Sequence, residues 1–505
     1  MIYLVNEYIV AMNSGIEHSE MQRVKMFSEN NEPAKIVIRN YDRLIAQYIK
    51  RFALPQNSIL NMFDYFQEAI NVPSKEPNYP KIESLNLAAE YNVDPGADVS
   101  HVYDGDQLVY DVHFAPGTVG QLFAVDVYNN KEIRMQSTLY DIRGFKSRDQ
   151  FFDQQGNLIT QYSYSPSGKR KIEEFFAKNE EGQSYMSLIH LLDYRDQDLY
   201  FNNYDELFVY FLDQLNQDNP GSTFIADRPG TSYNAVLNMK TNPRRFATIP
   251  TPHSSNPKDQ VFGDLSKMYA DILLQRADSL NGVIVATEEQ KHDLTKWMGG
   301  AKLVTTPIKQ ASFGVVSDTL LENKIVPLED RGPHKLVFVG RVTKNQRLEK
   351  LINVFKLVHN QLSDVTLDIY GYGESIKGWN EKIKEDKLDA AIKFKGYQVD
   401  LNEAYDTAQL FISTTLSDAQ SLSIIEALGH GTPVVAFDTK YGPVGLVDDE
   451  TGKLVADEDE TTMAINIIQI ISDQSLWNEK SIGARKRAQQ YSASRVFKQW
   501  KKGLR

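Results

Sequence analysis

In the stretch ISTTLSDAQSLSIIEALGHGTPVVAFDTKYGP, which begins at Ile412, Asp418 and Glu426 stand eight residues apart across a polar turn and the start of a helix. Glu426, on the helix, suits ribose hydroxyls, and the amides from Ser421 to Ser423 at the helix start suit phosphate oxygens. A second loop, VGRVTKNQRLEKL, sets Arg341 directly after a strand, with Lys344 and Arg347 close behind. Cations at the edge of a sheet suit a diphosphate leaving group. A third loop, MNSGIEHS, has Gly15 opening a helix, where a missing side chain lets phosphate approach the backbone. Each pattern is weak alone. There is no G-x-x-x-x-G-K-[ST] phosphate loop, and GYGES is too short for a dinucleotide fingerprint. The DGD at Asp104 to Asp106 matches a metal-binding D-x-D, but a hairpin turn explains it better.

These loops need a scaffold that brings them to one crevice. Short apolar runs (KLVFVGRV, VTLDIYGYG, AIKFKGY, QLFISTT, PVVAF) alternate with helical patterns such as RLEKLINVFKLVHNQL, which predicts a doubly wound parallel sheet. Gly429 and Gly431 fit the end of a helix before the next strand. The N-terminal part follows the same rhythm in IYLVNEY and AKIVIRN and resumes at STFIADRPG, FATIPTPH and NGVIVATEEQKHDL. Between roughly 75 and 205 the sequence alternates residue by residue with Gly, Asn, Asp and Ser turns, which predicts an inserted antiparallel meander. Its DQQGNL and SPSGKR turns lie about a dozen residues apart, a spacing that hairpin periodicity explains.

The expected division is an acceptor unit over 1–75 and 206–325, a β-rich insert over 76–205, a nucleotide-sugar unit over 326–490 and a C-terminal helix over 491–505. NKIVPLEDRGPH reads as a polar link, and the end from Leu476 reads as amphipathic helix with a solvated basic face. Two α/β units leave a crevice at the strand C-termini, where open sheets bind ligands.

A chain of 505 residues is too long for one core and predicts two or three domains. At 41% hydrophobic and 24% charged the composition is that of an ordinary globular protein. A net charge of −12 argues against nucleic acid as a partner, although a local basic groove for a phosphate-bearing acceptor is compatible with it. The absence of cysteine excludes disulfides, thiolate nucleophiles and Cys-based zinc sites. With no signal-peptide pattern and no long apolar run, the expected location is cytoplasmic, with peripheral contact at the inner membrane face left open.

Taken together, NSGIEHSEMQR, LNMFDYFQ, IADRPGTS, NGVIVATEEQ, GRVTKNQRLEKL, IYGYGE and IIEALGHGTPVVAFDTKYGP resemble family 4 retaining glycosyltransferases of the GT-B fold. The similarity is to Gram-positive teichoic-acid α-glycosyltransferases of the TagE and TarM type and to GtfA-type adhesin O-glycosyltransferases, and it spans nearly the whole chain. The resemblance implies α/β architecture with two facing Rossmann-like domains. It puts Gly15 against the donor diphosphate, Arg341 gripping it, Gly396 and Tyr397 near the uracil, Glu426 on the ribose and the backbone around Ser421 and Leu422 on the pyrophosphate. His253, in IPTPHSS, falls where the family has a histidine beside the transferred sugar. The donor implied is a UDP-sugar of glucose or N-acetylglucosamine, and the acceptor a wall teichoic acid or a serine-rich protein. Neither a metal nor another cofactor is expected, and a homo-oligomer or a hetero-oligomer with a paralogous glycosyltransferase is.

The chain departs from the family twice. The family's lysine five residues after the arginine is Gln346, and the first glutamate of its E-x7-E is Asp418, followed by Ala419 and Ser421 in place of glycines. A lost charge-assisted contact costs roughly 1.5–3 kcal/mol, about ten- to a hundredfold in rate if felt only at the transition state. Lys344 or Arg347 would have to reach in to compensate. Two readings follow: an active UDP-sugar-dependent hexosyltransferase, with Arg341, Asp418 and His253 at the reacting centre, or a non-catalytic subunit that stabilises an active paralogue.

Overall fold

The computed structural model describes residues 1–300, 306–374 and 376–505. The apolar runs form two parallel sheets with helices on both faces. In the first, seven strands lie in the spatial order Ile308–Gln310, Gly282–Val285, Arg244–Ile249, Thr223–Ala226, Ile2–Asn6, Ala34–Ile38 and Ile59–Asn61. In the second, six strands follow the order Ile392–Gly396, Thr366–Tyr370, Lys335–Val339, Leu410–Ser413, Val434–Phe437 and Gly452–Val455. Central strands such as Val434–Phe437 are buried throughout, since a sheet covered on both faces has no wet side.

In both sheets the order in which strands are added reverses at one place. In the first it lies between Ile2–Asn6 and Thr223–Ala226, which pair in parallel, and in the second between Lys335–Val339 and Leu410–Ser413. Loops leaving neighbouring strands diverge there and open a crevice, the topological switch point of an open α/β sheet. The loop with Gly15 and the loop with Arg228 flank one switch point. The loops with Arg341 and Asp418 flank the other.

Ten antiparallel strands between Asn92 and Phe201 interrupt the first sheet and pair strictly in chain order. Their turns repeat one hydrogen bond. The amides of Gly144, Gly156, Gly168 and Gly182 donate to the carbonyls of Asp141, Asp153, Ser165 and Asn179, and all four glycines have positive φ. The twelve-residue spacing of the first three is thus a genuine repeat of one hairpin, because strand length and turn type are kept from one to the next. The meander is bolted to the helix and turn that follow the first sheet's edge strand Ile59–Asn61: the buried Arg143 bonds Asp64 (2.8 Å) and the Ala69 carbonyl (2.7 Å) there, and Asp141 within the meander, where Arg148 also pairs with Glu174 at 3.0 Å.

The link over 323–334 is pinned. Arg331 is buried and donates to the carbonyls of Tyr405, Ala408 and His430 and to Thr432 Oγ1. The basic C-terminal stretch is two helices, Gln474–Ala488 and Ala493–Gly503, broken around Ser492. The second crosses back to the first sheet, where Trp500 is buried and its indole N–H donates to Ser312 O at 2.8 Å. Burying Ala493, Val496, Trp500 and Gly503 on one face seats the helix there rather than leaving it a solvated rod.

Candidate functional site

A cleft of about 1540 Å³ lies between the two switch points. On its N-terminal wall, Ser14 caps the helix Gly15–Glu29 in a reciprocal box with Glu17, whose Oε2 accepts from the Ser14 amide at 2.9 Å and hydroxyl at 2.6 Å. Glu17 Oε1 accepts from Arg228 and from Asn6 Nδ2 (3.2 Å). Burial pushes the Glu17 carboxyl up, but Arg228 and Ser14 outweigh it and hold it below its usual value. Deeper, Arg23 pairs with Asp227 at 2.9 Å. Glu20 beside them accepts from Asn6 Nδ2 at 2.7 Å. Burial, with the Asp227 and Glu17 charges, drives Glu20 well above the usual carboxylate range, which favours its neutral form.

The C-terminal wall is built differently. Arg341 is exposed, lines the cleft and pairs with no carboxylate among the described residues. Across from it, Ser421 precedes the helix Leu422–Gly429 without capping it with its side chain, and the amides of Leu422 and Ser423 meet no acceptor among the described residues. Asp418 lines the cleft with its backbone clamped by Lys440 O (3.2 Å) and the Gly442 amide (3.0 Å). Gly442 is required by that approach, since a Cβ there would sit 2.9 Å from Asp418 Cβ. Burial pushes the Asp418 carboxyl up to about 7, against the pull of the Gln420 and Ala419 amides and of Arg341.

Glu426 lines the cleft with both oxygens engaged, Oε1 accepting from Gln22 Nε2 at 3.0 Å and Oε2 from the Tyr405 hydroxyl at 2.9 Å. Burial raises its pKa and these two bonds lower it. Further ties close the walls on each other. Tyr397 OH meets His18 Nε2 at 3.0 Å, Gln420 Oε1 accepts from the Phe313 and Gly314 amides at 2.8 and 3.0 Å, and Lys440 pairs with Asp293 at 2.7 Å.

The structure thus brings Gly15, Arg341, Gln346, Tyr397, Asp418, Ser421, Leu422 and Glu426 to one cleft. Gly15 faces Leu422, whose Cδ1 would stand 3.9 Å from an added Cβ, so protein packing alone does not demand glycine there. Three expected residues lie outside the lining. Lys344 is exposed beside it, and Gly396, at φ +70°, uses its carbonyl to accept the Gly371 amide. His253 is fully buried one layer behind; its Nε2 meets Gln260 O at 2.7 Å, and Nδ1 has no partner among the described residues. Burial lowers its pKa to about 4, so the ring is neutral. Nor does Arg347 reach in: its guanidinium is consumed by the Thr414 and Thr415 carbonyls and by Asp457 at 2.7 Å. Sequence reasoning missed Gln22, Asp227 and Arg228. The last two stand in IADRPG directly after a strand, the only local signal they carry.

Across its whole length the chain matches the GtfA subunit of UDP-N-acetylglucosamine–peptide N-acetylglucosaminyltransferase from Limosilactobacillus reuteri, 30% identical over 527 residues, 99% of this chain and 98% of the relative. The glycosyl transferases group 1 model matches residues 333–473. The chain belongs to the group 1 glycosyltransferases. Residues 5–226 of this glycosyltransferase also match the model of an accessory Sec system protein. A second relative, poly(ribitol-phosphate) α-N-acetylglucosaminyltransferase from Staphylococcus aureus, is 26% identical over 518 residues, 99% of this chain and 98% of the relative. In fold, the glycosyltransferase superposes on the pneumococcal O-GlcNAc transferase GtfA, solved with UDP and GlcNAc, with a TM-score of 0.85 at 18% identity, covering 100% of this chain and 98% of that one. The architecture is therefore GT-B. Among the described residues no group of three or more His, Asp or Glu is arranged to hold a metal, and no helix is long and apolar enough to cross a membrane.

Proposed function

We propose that this chain is a family 4 retaining glycosyltransferase, of the kind that includes the TagE and TarM types, moving glucose or N-acetylglucosamine from a UDP-sugar to a wall teichoic acid or a serine-rich protein. One observation carries the reading. An uncommitted guanidinium, Arg341, and the unpaired amides of Leu422 and Ser423 face one cleft at a switch point, opposite a helix that begins with glycine. Cationic and amide donors already in place are what a departing diphosphate requires. The relatives' names supply UDP-N-acetylglucosamine and two acceptor classes, peptide and poly(ribitol phosphate).

In this reading the acceptor hydroxyl attacks the anomeric carbon from the face the diphosphate leaves. Its proton passes to the departing phosphate oxygen, so no protein nucleophile or metal is required. Arg341 and the amides take up the charge on the diphosphate. Glu426 holds the ribose by sharing lone pairs now given to Gln22 and Tyr405, Tyr397 lies by the uracil, and His253, buried behind the lining, supports the wall beside the transferred sugar. The six-stranded lobe holds the donor, the seven-stranded lobe the acceptor, and the meander docks acceptor or a second subunit. The chain works on the cytoplasmic side, where it meets UDP-sugars, at or near the inner membrane face.

A specific observation favours a second reading, a non-catalytic subunit beside an active paralogue. Neither Lys344 nor Arg347 occupies the space left by Gln346, and the L. reuteri relative is itself named a subunit. Calorimetric titration of the purified chain with a panel of UDP-sugars, followed by assay of sugar hydrolysis with and without acceptor, decides between them. Binding and hydrolysis that collapse in Arg341→Ala are expected of the enzyme. Activity that appears only with a second chain and ignores Arg341→Ala supports the subunit. No UDP binding at millimolar concentration ends the first reading.

A further inference from the structure

The missing lysine raises the question of what else in the cleft can meet a diphosphate. Arg228 follows the strand Thr223–Ala226 and flanks the N-terminal switch point, as Arg341 flanks the C-terminal one. Its Nη2 is anchored, donating to Glu17 Oε1 and lying 3.4 Å from Ser14 Oγ, beside Gly15. The pair is lopsided in exposure: the Glu17 side chain is 1% exposed and that of Arg228 is 23% exposed, so the cation is the partner that meets the cleft. Glu17 spreads its charge over Ser14, Asn6 and Arg228, whereas Arg228 Nε is buried without a partner and Nη1 donates to nothing among the described residues. One edge of the planar guanidinium is fixed through Nη2 and Nη1 keeps its donors open, a geometry in which arginine holds phosphate.

The two arginines also converge. The Val342 amide, next to Arg341, donates to Tyr372 O at 2.8 Å, and the Tyr372 hydroxyl reaches Met12 O at 3.4 Å in the turn that leads to Ser14 and Gly15. Arg341 and Arg228 thus both line the cleft together with Met12, Ser14 and Gly15 of that turn. We propose that Arg228 is a second diphosphate-binding residue, supplying from the N-terminal lobe the cationic contact that Gln346 cannot make from the C-terminal lobe. The inference rests on the donor-site reading above. It also makes diphosphate binding draw on both lobes at once.

The test is a double-mutant cycle on the full chain, with Arg228→Gln, Gln346→Lys and the double variant titrated with UDP, UMP, uridine and glycerol phosphate, and with melting temperature followed in parallel. Arg228→Gln should weaken UDP tenfold or more, UMP less and uridine not at all. Gln346→Lys should restore most of the lost UDP affinity in the double variant while adding little to the unsubstituted chain. Equal weakening of UDP and uridine marks a merely structural role and overturns the proposal. So does independent action of the two substitutions, or an Arg228→Gln effect confined to glycerol phosphate, which assigns the residue to an acceptor phosphate. If UDP binds and depends on Arg341 but ignores Arg228→Gln, this inference alone falls. If UDP does not bind the unsubstituted chain, the donor-site reading falls with it.

Discussion

The two walls of the cleft carry similar residue types and use them in opposite ways. On the N-terminal wall Glu17, Glu20, Arg23 and Asp227 are buried and held by neighbouring groups, Arg23 by Asp227 and the two glutamates by Asn6. On the C-terminal wall Arg341 is exposed without a carboxylate partner among the described residues, and two helix amides are left open. Charge locked in a buried network mainly holds a shape, because its partners already take up its field; charge left open mainly waits for a ligand. Glu17 sits in that network yet leaves part of its partner Arg228 free, which is why Arg228 stands out on the wall otherwise given to structure.

Substitutions separate the two roles. The largest effect is expected from Asp227→Asn, which leaves Arg23 buried without its counter-charge; breaking such a pair costs about 3–5 kcal/mol, read as a lower denaturant midpoint. On the other wall Arg341→Ala should leave the midpoint within about 0.5 kcal/mol and weaken UDP binding by about ten- to a hundredfold, the worth of a charge-assisted contact. Loss of stability in Arg341→Ala without loss of UDP affinity would break the comparison.

A smaller effect follows pH. With its pKa pushed up to about 7, Asp418 is protonated at pH 6 and ionised at pH 8. Ionisation puts a negative charge beside the diphosphate, so UDP affinity should fall several-fold as pH rises across that window. Asp418→Asn should flatten the profile. The same shift bears on folding. An acid whose folded pKa exceeds the unfolded value of about 3.9 contributes its stability fully below that value and loses it as pH rises through 7. The smallest effect is expected from Glu20→Gln, since burial and the neighbouring carboxylates already favour the neutral acid that glutamine mimics. The midpoint should shift by less than about 0.5 kcal/mol, and a loss near that of Asp227→Asn would show Glu20 to be ionised.

Much of the scaffold was legible. Alternating apolar runs and helices announce parallel sheets because period and run length follow directly from covering both faces. The meander was legible from residue-by-residue alternation and glycine turns, although only the matching hydrogen bonds at Gly144, Gly156 and Gly168 make its period one repeated hairpin. The pinned link was not legible, since the carbonyls that Arg331 gathers come from Tyr405, Ala408 and His430, more than seventy residues away. The break near Ser492 was hidden as well, because a helical pattern cannot tell one long helix from two that pack on different lobes.

In the site, residue type and place after a strand were enough to single out Arg341, Gly15 and Glu426, since a parallel sheet delivers such loops to the same end. The sequence alone also determined that cysteine chemistry is excluded and that Gln346 stands where a cation would be useful. Only the tertiary structure decided which neighbouring charges are free. Lys344, Arg347 and Arg228 are all cations near strand ends, yet one stands outside the lining, one is consumed by Asp457 and two carbonyls, and one keeps donors open beside Gly15. Whether a guanidinium is available depends on carboxylates and carbonyls brought to it from elsewhere in the chain, and that pairing exists only after folding.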